Sequence, residues 1–547
     1  MPVIQIYRER LERLVPGHTY EEIIKVLPYI GVDIEEQTND YVRIEYSPNR
    51  PDFGTDYMVA RALRGILGDE LGIRKWSPEK GDISVFVDKS VESVRPFIAV
   101  FAARGLSLDD ESIRQLISLQ EDLHQGVGRG RKKVAIGLHD LSPVRFPLTY
   151  RATGPEHRFI PLNSDREMTI KEMLESTEQG RKYGSLLNSW NPVILDSSGM
   201  TLSVPPIING NYTRLTVNTR NMLVDITGTD ERAVKLAASV LAETLHEMGS
   251  TIVEGVTIYP DKRTIVSPDV SEKTVRVSLS MVSSLLGLSL SPDKAIEAIK
   301  RSGLDAIYDN GDLLVTVPHY RGDILHPVDI AEEVLIGYGL FNVEPDLNIS
   351  FSKGGLMRET RLLELVKSTA IGMGFTEVLN PMLVSDELLR MFSVQDNVVM
   401  TEFSKSSEHN ALRTALFPGC VKVISINQNE TMPRRMFETG DVVFLKDGAP
   451  VQQRRLCLIE ERDKASLTEA KSYFDAILRV MALDPTKASY VPIKRNYALR
   501  AFEIRYSEKE AGETFEVNPE LLEKLKIKNP VIVLEIYLDV LQSFVLA

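Results

Sequence analysis

The sequence predicts a multidomain chain of the α+β class. Its 547 residues are too many for one hydrophobic core, which stops growing at roughly 250–300 residues. Before about residue 345, apolar runs of strand type alternate with helical patterns, whereas the later strand runs are typical of an antiparallel sheet flanked by helices. We predict four modules: an N-terminal α+β module, a mixed α/β module, a small helical module and a C-terminal sheet module, at 1–82, 83–262, 263–345 and 346–547.

The composition is that of an ordinary soluble globular protein, with 43% hydrophobic and 26% charged residues. A net charge of −13 argues against a surface built for non-specific nucleic-acid binding, so any RNA contact should be local. Cys420 and Cys457 are the only cysteines, which excludes a disulfide framework and a cysteine zinc site. We expect a cytoplasmic protein, since neither a signal-peptide pattern nor an apolar run of membrane-spanning length occurs.

Local signals define the N-terminal module and the turns that follow it. Thr19 and Glu22 have the spacing of a capping box before a helix, and Tyr41 to Tyr46 alternate as a half-buried strand. The polar residues of the next turn, among them Arg50 and Asp52, are interpreted as turn and capping residues. Further on, the polar stretch from Thr257 to Lys273 is predicted to be a linker.

Four polar side chains lie among the apolar strand segments of the second module. Buried polar groups need partners, and converging on a pocket would supply them; capping turns or facing water is the alternative. The module has neither triad order nor a nucleophile elbow, so hydrolysis here would depend on positioning water and substrate. The four residues are Ser203, Asn209, Asp225 and Thr227.

A basic segment in the same module combines positive charge with glycines that allow close backbone approach. This pattern suits phosphate contact, although a solvated loop would carry the same residues. The neighbouring His139 is interpreted as structural, because its sequence neighbour Asp140 would point to the opposite face of a strand. The basic residues are Arg129, Arg131, Lys132 and Lys133.

An acidic stretch ends the third module, after a hairpin turn at Asp309-Asn310-Gly311. Pro327 is predicted to open a helix, and no Lys or Arg occurs from Gly322 to Ser352. Four clustered carboxylates without nearby cysteine suit a hard cation such as Mg²⁺; acids that face water and complement the helix dipole are the alternative. The carboxylates are Asp323, Asp329, Glu332 and Glu333.

Six segments occur in one order across nearly the whole chain. They are SPNRPDFGTDYMVARALRG from Ser47, RKKVAIGLHDL from Arg131, PPIINGNYTRLT from Pro205, VPHYRGDILHPVDIAEEVLIGYGLFN from Val317, GFTEVLNPMLV from Gly374, and LRTALFPG with FETGDVVF. These segments resemble the beta subunits of phenylalanyl-tRNA synthetases of the archaeal and eukaryotic cytosolic type. Six ordered matches are far more specific than one short motif.

The resemblance implies an aminoacyl-tRNA editing module at 83–262 and a C-terminal domain like that of class II synthetases. The strand context of the second class II motif is kept, but no G-x-G-x-x-x-R of the third motif follows Asn429. The arginines of these motifs stabilise charge during adenylate formation. The resemblance therefore implies that a partner alpha subunit activates phenylalanine with ATP, and that this chain does not.

The resemblance also implies roles for the residues named above. It assigns Mg²⁺, at the interface with the alpha subunit, to Asp323, Asp329, Glu332 and Glu333. It places editing of Tyr-tRNA(Phe) at Ser203, Asn209, Asp225 and Thr227, and tRNA contact at Arg129, Arg131, Lys132 and Lys133. The implied assembly is an (alpha-beta)2 heterotetramer that binds tRNA(Phe). A non-catalytic scaffold with an inactive editing pocket is the alternative.

Overall fold

The computed structural model describes residues 1–187, 190–345, 353–402, 404, 406–464 and 466–545. These residues belong to two compact units, Met1–Leu347 and Asn348–Ala547. The first three predicted modules each have a sheet of their own, and all three lie within the first unit.

The N-terminal module is a three-stranded antiparallel sheet covered by helices. Its strands, with β3 in the middle, are β1 (Val3–Tyr7), β2 (Val32–Gln37) and β3 (Tyr41–Tyr46). Its helices are α1 (Arg8–Leu14), α2 (Tyr20–Val26) and α3 (Asp56–Leu67). The capping box predicted for α2 is confirmed, because the Thr19 hydroxyl accepts from the N–H of Glu22 and the Glu22 carboxylate accepts from the N–H of Thr19.

The second module is built on a ten-stranded mixed sheet, to which β8 and β9 add a separate small hairpin. In chain order the strands are β4 (Glu79–Val87), β5 (Phe97–Arg104), β6 (Val134–Asp140), β7 (Leu148–Thr153), β8 (Arg158–Phe159), β9 (Met168–Thr169), β10 (Asn191–Leu195), β11 (Thr201–Val204), β12 (Ile208–Asn209), β13 (Asn221–Gly228), β14 (Thr251–Ile258) and β15 (Thr264–Ser267). The order across the sheet is β12-β11-β10-β7-β4-β14-β5-β13-β6, with β15 paired to β14. The polar stretch predicted to be a linker therefore contains a strand, β15.

Helices cover this sheet, and each begins at an N-cap residue whose side chain accepts backbone N–H groups. They are α4 (Asp110–Gln125), α5 (Ile170–Ser176), α6 (Glu178–Tyr183) and α7 (Glu231–Glu247). The carboxylates of Asp109 and Asp230 accept backbone N–H groups at the starts of α4 and α7, which satisfies donors that a helix leaves unpaired. Apolar side chains of α4 and α7 form one core with those of β5, β6 and β13. This core fixes β13 between β5 and β6.

The third module combines an antiparallel sheet with three helices, so the predicted helical module also contains strands. The strands are β16 (Lys273–Ser278), β17 (Asp305–Asp309) and β18 (Asp312–Val317), in the order β16-β18-β17. The helices are α8 (Leu279–Leu286), α9 (Pro292–Arg301) and α10 (Pro327–Tyr338). Both local predictions are confirmed: Asn310 and Gly311 have positive φ in the β17–β18 turn, and Pro327 is the first residue of α10.

The second unit is a seven-stranded sheet, antiparallel except at its first pair, with a two-stranded sheet beside it. Its strands are β19 (Thr376–Glu377), β20 (Leu383–Val384), β21 (Ala411–Leu412), β22 (Arg434–Lys446), β23 (Ala449–Glu461), β24 (Ala488–Ile493), β25 (Ala498–Tyr506), β26 (Lys509–Val517) and β27 (Val531–Tyr537). Its helices are α11 (Arg358–Gly372), α12 (Asp386–Met391), α13 (Phe417–Ile426), α14 (Leu467–Val480), α15 (Pro519–Lys524) and α16 (Leu538–Val545).

Helices flank this sheet in two groups with separate cores. One core contains residues of α11, α14 and α16, and the other contains residues of α12, α13 and α15. The apolar run from Pro530 to Leu541 is divided between two elements: β27 ends at Tyr537 and α16 begins at Leu538. The four residues after Tyr537 thus join the helical layer.

Candidate functional site

A cavity of about 220 Å³ lies in the mixed-sheet module. Three of the four polar residues predicted for a pocket, Ser203, Asn209 and Asp225, line it. They come from β11, β12 and β13, and the wall is completed by α4, the segment before β6, and the α6 region. Strands that are distant in sequence thus bring these side chains together. The prediction of a shared pocket therefore agrees with the geometry for these three residues.

Thr227 does not line the cavity, although it is two residues from Asp225 on the same strand. Its side chain is fully buried, and its hydroxyl accepts a 2.9 Å hydrogen bond from Nε of Arg95. Residues two apart in a strand share a face, but the Arg95 guanidinium covers this end of β13. Thr227 therefore supports the wall and does not face the space inside it.

The carboxylate of Asp225 is bound by His139, a buried residue that the sequence analysis interprets as structural. Nε2 of His139 lies 2.6 Å from Oδ2 of Asp225, and Nδ1 of His139 lies 2.6 Å from the hydroxyl of Thr213. A carboxylate oxygen accepts hydrogen bonds, so Nε2–H of His139 donates to Asp225. The contact fixes the orientation of Asp225. The sequence contains no signal for this pairing, because the two residues are 86 positions apart.

Gly137 makes room for this pair. It is the register partner of Asp225 on β6, and a Cβ at this position would lie 2.1 Å from Oδ2 of Asp225 and 2.5 Å from Nε2 of His139. Such distances are far shorter than van der Waals contact. Any side chain at residue 137 must therefore displace the carboxylate, the imidazole or both.

We expect Gly137→Ala to lower the free energy of unfolding by about 1–3 kcal/mol, the usual effect of overpacking a buried site. Urea unfolding followed by tryptophan fluorescence measures this, because both tryptophans, Trp76 and Trp190, belong to the first unit. Gly154→Ala is the matched control, since a Cβ there meets nothing within 4 Å. Equal stability of the two variants would contradict the clash.

The ion pair between Arg131 and Glu121, together with His124, forms another part of the cavity wall. Arg131 donates to the carboxylate of Glu121 and to the carbonyls of Pro206 and Ile207. His124 accepts a 2.8 Å bond from the N–H of Ile136 through Nε2, so Nδ1 carries the proton donated to Glu121. Burial raises the pKa of Glu121, but the hydrogen bond from His124 and the charge of Arg131 outweigh it and lower the pKa to about 2. Glu121 is therefore ionised at neutral pH.

The four predicted RNA-binding residues do not share one surface. Arg131 is a correction to that prediction: it is 8% exposed and lines the cavity, where its guanidinium stacks 4.2 Å from the ring centroid of Tyr183. Lys133 pairs with Asp230 at 2.7 Å. Arg129 and Lys132 have exposed side chains. Three consecutive residues with positive φ, at 129–131, turn the chain so that Arg131 points inward.

The acidic stretch does not form a cage of oxygen atoms. Asp323 and Glu333 both pair with Arg321, which is 2% exposed and immediately precedes the stretch without basic residues. Asp329 accepts the N–H groups of Leu325 and His326 at 2.7 Å each, and Glu332 is exposed. The guanidinium thus occupies the place of the predicted cation.

These contacts decide whether Mg²⁺ fits the stretch. In the described part of the chain, no three His, Cys, Asp or Glu side chains converge in a way that could hold a metal ion. Although burial works to raise it, the hydrogen bonds and charge of Arg321 hold the pKa of Asp323 below its usual value. The four residues predicted as metal ligands, Asp323, Asp329, Glu332 and Glu333, do not fit Mg²⁺ in this arrangement.

Curated relatives of this chain cover almost its whole length. A protein of Archaeoglobus fulgidus named phenylalanine–tRNA ligase beta subunit is 36% identical over 98% of each chain. A protein of the same name from Methanocaldococcus jannaschii is 34% identical over 98% of this chain and 100% of its own. This chain belongs to the phenylalanine–tRNA ligase beta subunit family. The resemblance seen in the sequence is confirmed.

Family models and a solved structure match individual parts of this family member. The model of the tRNA synthetase B5 domain matches residues 275–340, and that of the phenylalanyl-tRNA synthetase beta chain CLM domain matches residues 347–538. The crystal structure of an N-terminal fragment of the beta subunit from Pyrococcus horikoshii is similar with a TM-score of 0.59 and 34% identity, covering 62% of this chain and 99% of the fragment. Among the described residues, no helix is both long and apolar enough to cross a membrane.

Proposed function

We propose that this chain works with an alpha subunit as a phenylalanine–tRNA ligase and that its mixed-sheet module hydrolyses Tyr-tRNA(Phe). The observation that carries the proposal is the polar cavity beside β13. Family membership supports the ligase role, and the cavity supports editing in this chain. The alpha subunit would attach phenylalanine to tRNA(Phe) with ATP, in a complex that we propose to be an (alpha-beta)2 heterotetramer.

The size and polarity of the cavity suit a hydroxyphenyl group. An engineered protein cavity of about 150 Å³ holds benzene, so about 220 Å³ leaves room for the additional hydroxyl. Among the described residues, Oδ1 of Asp225 has no hydrogen-bond partner, while Oδ2 is bound by His139. A phenolic hydroxyl can donate to this carboxylate, whereas phenylalanine would leave it unpaired. Sites built to bind a hydroxyl reject analogues that lack it strongly.

The cavity wall favours water as the attacking group. Its one serine, Ser203, has a buried Oγ with no hydrogen-bond partner in the described structure, so no base is in place to activate it. His139 is committed to Asp225 and Thr213. Hydrolysis would therefore depend on holding the ester and a water molecule in the correct geometry, as we inferred from the absence of a triad.

Ion pairs in the second unit support the assignment of phenylalanine activation to the alpha subunit. Arg413 donates to Glu438 at 2.5 Å, and Arg455 donates to Glu535 at 2.7 Å. Both carboxylates are almost completely buried. Adenylate formation needs an arginine that is free to bind phosphate, and these two guanidinium groups already have partners. We propose that this chain alone forms no phenylalanyl-adenylate.

Hydrolysis of Tyr-tRNA(Phe) by the full chain tests the editing proposal. Asp225→Asn should lower kcat/KM by about 10–100-fold, which is ~1.4–2.8 kcal/mol of transition-state stabilisation. The preference for Tyr-tRNA(Phe) over Phe-tRNA(Phe) should fall with it. Asp165→Asn is the matched control, because Asp165 is exposed in the same module and does not line the cavity. A wild-type chain that hydrolyses no faster than buffer would favour the non-catalytic scaffold instead.

A further inference from the structure

Arg95 is a buried cation next to the end of strand β13 in the mixed sheet. It is 4% exposed and precedes β5. Its Nε and Nη2 donate to the hydroxyl and carbonyl of Thr227, at 2.9 and 2.8 Å. Its Nη1 donates to the carbonyls of Arg131 and Lys132, at 3.2 Å each. The guanidinium is therefore held by neutral acceptors.

The lack of an acidic partner distinguishes Arg95 from the other buried arginines. Seven arginines among the described residues are buried, and the other six pair with a carboxylate within 4.0 Å. Burial lowers the pKa of Arg95 to about 10, although the charges of Tyr150 and Asp225 act in the opposite direction. Arg95 remains charged at neutral pH. A buried charge without a counter-ion is unfavourable, and an anion beside it would relieve that cost.

A second cavity, of about 240 Å³, lies where such an anion could bind. Arg95, Lys132 and Thr229 supply its polar lining. Lys132 is exposed, and within the described structure it has no carboxylate within 4.0 Å, unlike its neighbour Lys133. Pro206 lines both this cavity and the one that contains Asp225. The two cavities are therefore adjacent and share part of one wall.

We propose that Arg95 and Lys132 form a binding site for a phosphodiester group near the 3′ end of the tRNA. The proposal rests on the function proposed above, in which the tyrosyl group occupies the first cavity. The nucleotide that carries this group must then lie just outside, and its phosphate is the anion closest to the reacting ester. Four of the five N–H groups of Arg95 already have acceptors, so Arg95 attracts the phosphate chiefly through its uncompensated charge, and the exposed ammonium of Lys132 donates to the phosphate oxygens.

Binding of two RNAs to the full chain tests this site. The probes are uncharged tRNA(Phe) and the same tRNA without its last three nucleotides. Lys132→Gln should bind intact tRNA about 3–10-fold more weakly, and the slope of log affinity against log salt should become shallower by about 0.7, the value for one contact with single-stranded RNA. Binding of the truncated tRNA should not change. Lys132→Glu should show the same pattern with a larger loss.

Lys171→Gln is the matched control, because it removes an exposed charge from the same module without lining the cavity. Equal losses for intact and truncated tRNA in the Lys132 variants would overturn the proposal, since they would indicate general surface attraction. Arg95→Met removes the buried charge, and it should weaken binding of intact tRNA about tenfold, equivalent to ~1.4 kcal/mol. If that variant does not fold, the Lys132 variants decide the outcome.

These measurements separate the anion site from the editing activity. A wild-type chain that fails to hydrolyse Tyr-tRNA(Phe) would contradict the proposed function, while a loss in the Lys132 variants confined to intact tRNA would still support the anion site. Conversely, active editing together with unchanged affinity in the Lys132 variants would overturn the anion site alone.

Discussion

We expect Arg321→Leu to lower the free energy of unfolding of the first unit by about 3–5 kcal/mol, the usual cost of removing one partner from a buried ion pair. Arg321 binds two carboxylates at once: its Nη2 lies 2.7 Å from Oδ2 of Asp323, and the same nitrogen donates to Glu333. Leucine would leave both acids buried without the salt-bridge partner that they share. Urea unfolding followed by tryptophan fluorescence measures the loss.

A surface pair of the same residue types provides the control. Arg276 pairs with Asp312 at 2.6 Å, but its side chain is 62% exposed, so Arg276→Leu should cost at most about 1 kcal/mol. A triple variant that also carries Asp323→Asn and Glu333→Gln should recover part of the stability, because the uncompensated charges are then gone. Similar losses for Arg321→Leu and Arg276→Leu would contradict the buried network.

Acid should weaken the same network in the wild-type chain. The pKa of Asp323 is depressed in the folded state, so the stability it contributes is present above its unfolded pKa and is lost as the pH falls through its folded pKa. Arg321→Leu removes the largest causes of this lowered pKa, the hydrogen bonds and the charge of Arg321. Its free energy of unfolding should therefore depend less on pH below about pH 4, the ordinary range for an aspartate.

The second large effect is expected at Glu243, a residue of α7 that is 1% exposed. Its carboxylate accepts from Arg61 and, at 2.8 Å, from Nε1 of Trp76, and it lies 3.3 Å from Nε2 of His319. Glu243→Ala would leave the guanidinium and the indole N–H without this acceptor. We expect a loss of about 3–5 kcal/mol in the free energy of unfolding.

Circular dichroism during urea unfolding measures the free energy of unfolding of this variant. Tryptophan fluorescence is unsuitable here, because the substitution removes a contact of Trp76 and would alter the fluorescence directly. Glu297→Ala is the matched control: Glu297 pairs with Arg301 one helical turn away and is 56% exposed, so its loss should cost less than about 0.5 kcal/mol. A small effect at both glutamates would show that other contacts hold Arg61 and Trp76 equally well.

The sequence predicted features that depend on neighbouring residues. The capping box at Thr19, the helix start at Pro327 and the turn at Asn310 each involve contacts within about four positions, and backbone geometry alone explains them. Three of the four pocket residues were also identified, because polar side chains within buried strands require partners.

Charge partners distant in sequence could not be predicted in this way. Arg131 was grouped with its basic neighbours, but Glu121, on a preceding helix, draws it into the cavity wall. Asp323 and Glu333 were grouped with other acids, although the counter-charge Arg321 lies directly before them and reaches Glu333 only through the fold. Residue spacing indicates which charges share a segment, whereas the tertiary structure decides which of them meet.

Helix α7 connects the module junction to the cavity. It accepts contacts from Arg61 of the N-terminal module and His319 of the third module through Glu243, and it follows β13, the strand of Asp225, after only two residues. Segments that pack together often open as one cooperative unit. We therefore expect a destabilising change at Arg61, more than 100 residues away in sequence, to loosen the packing that orients Asp225.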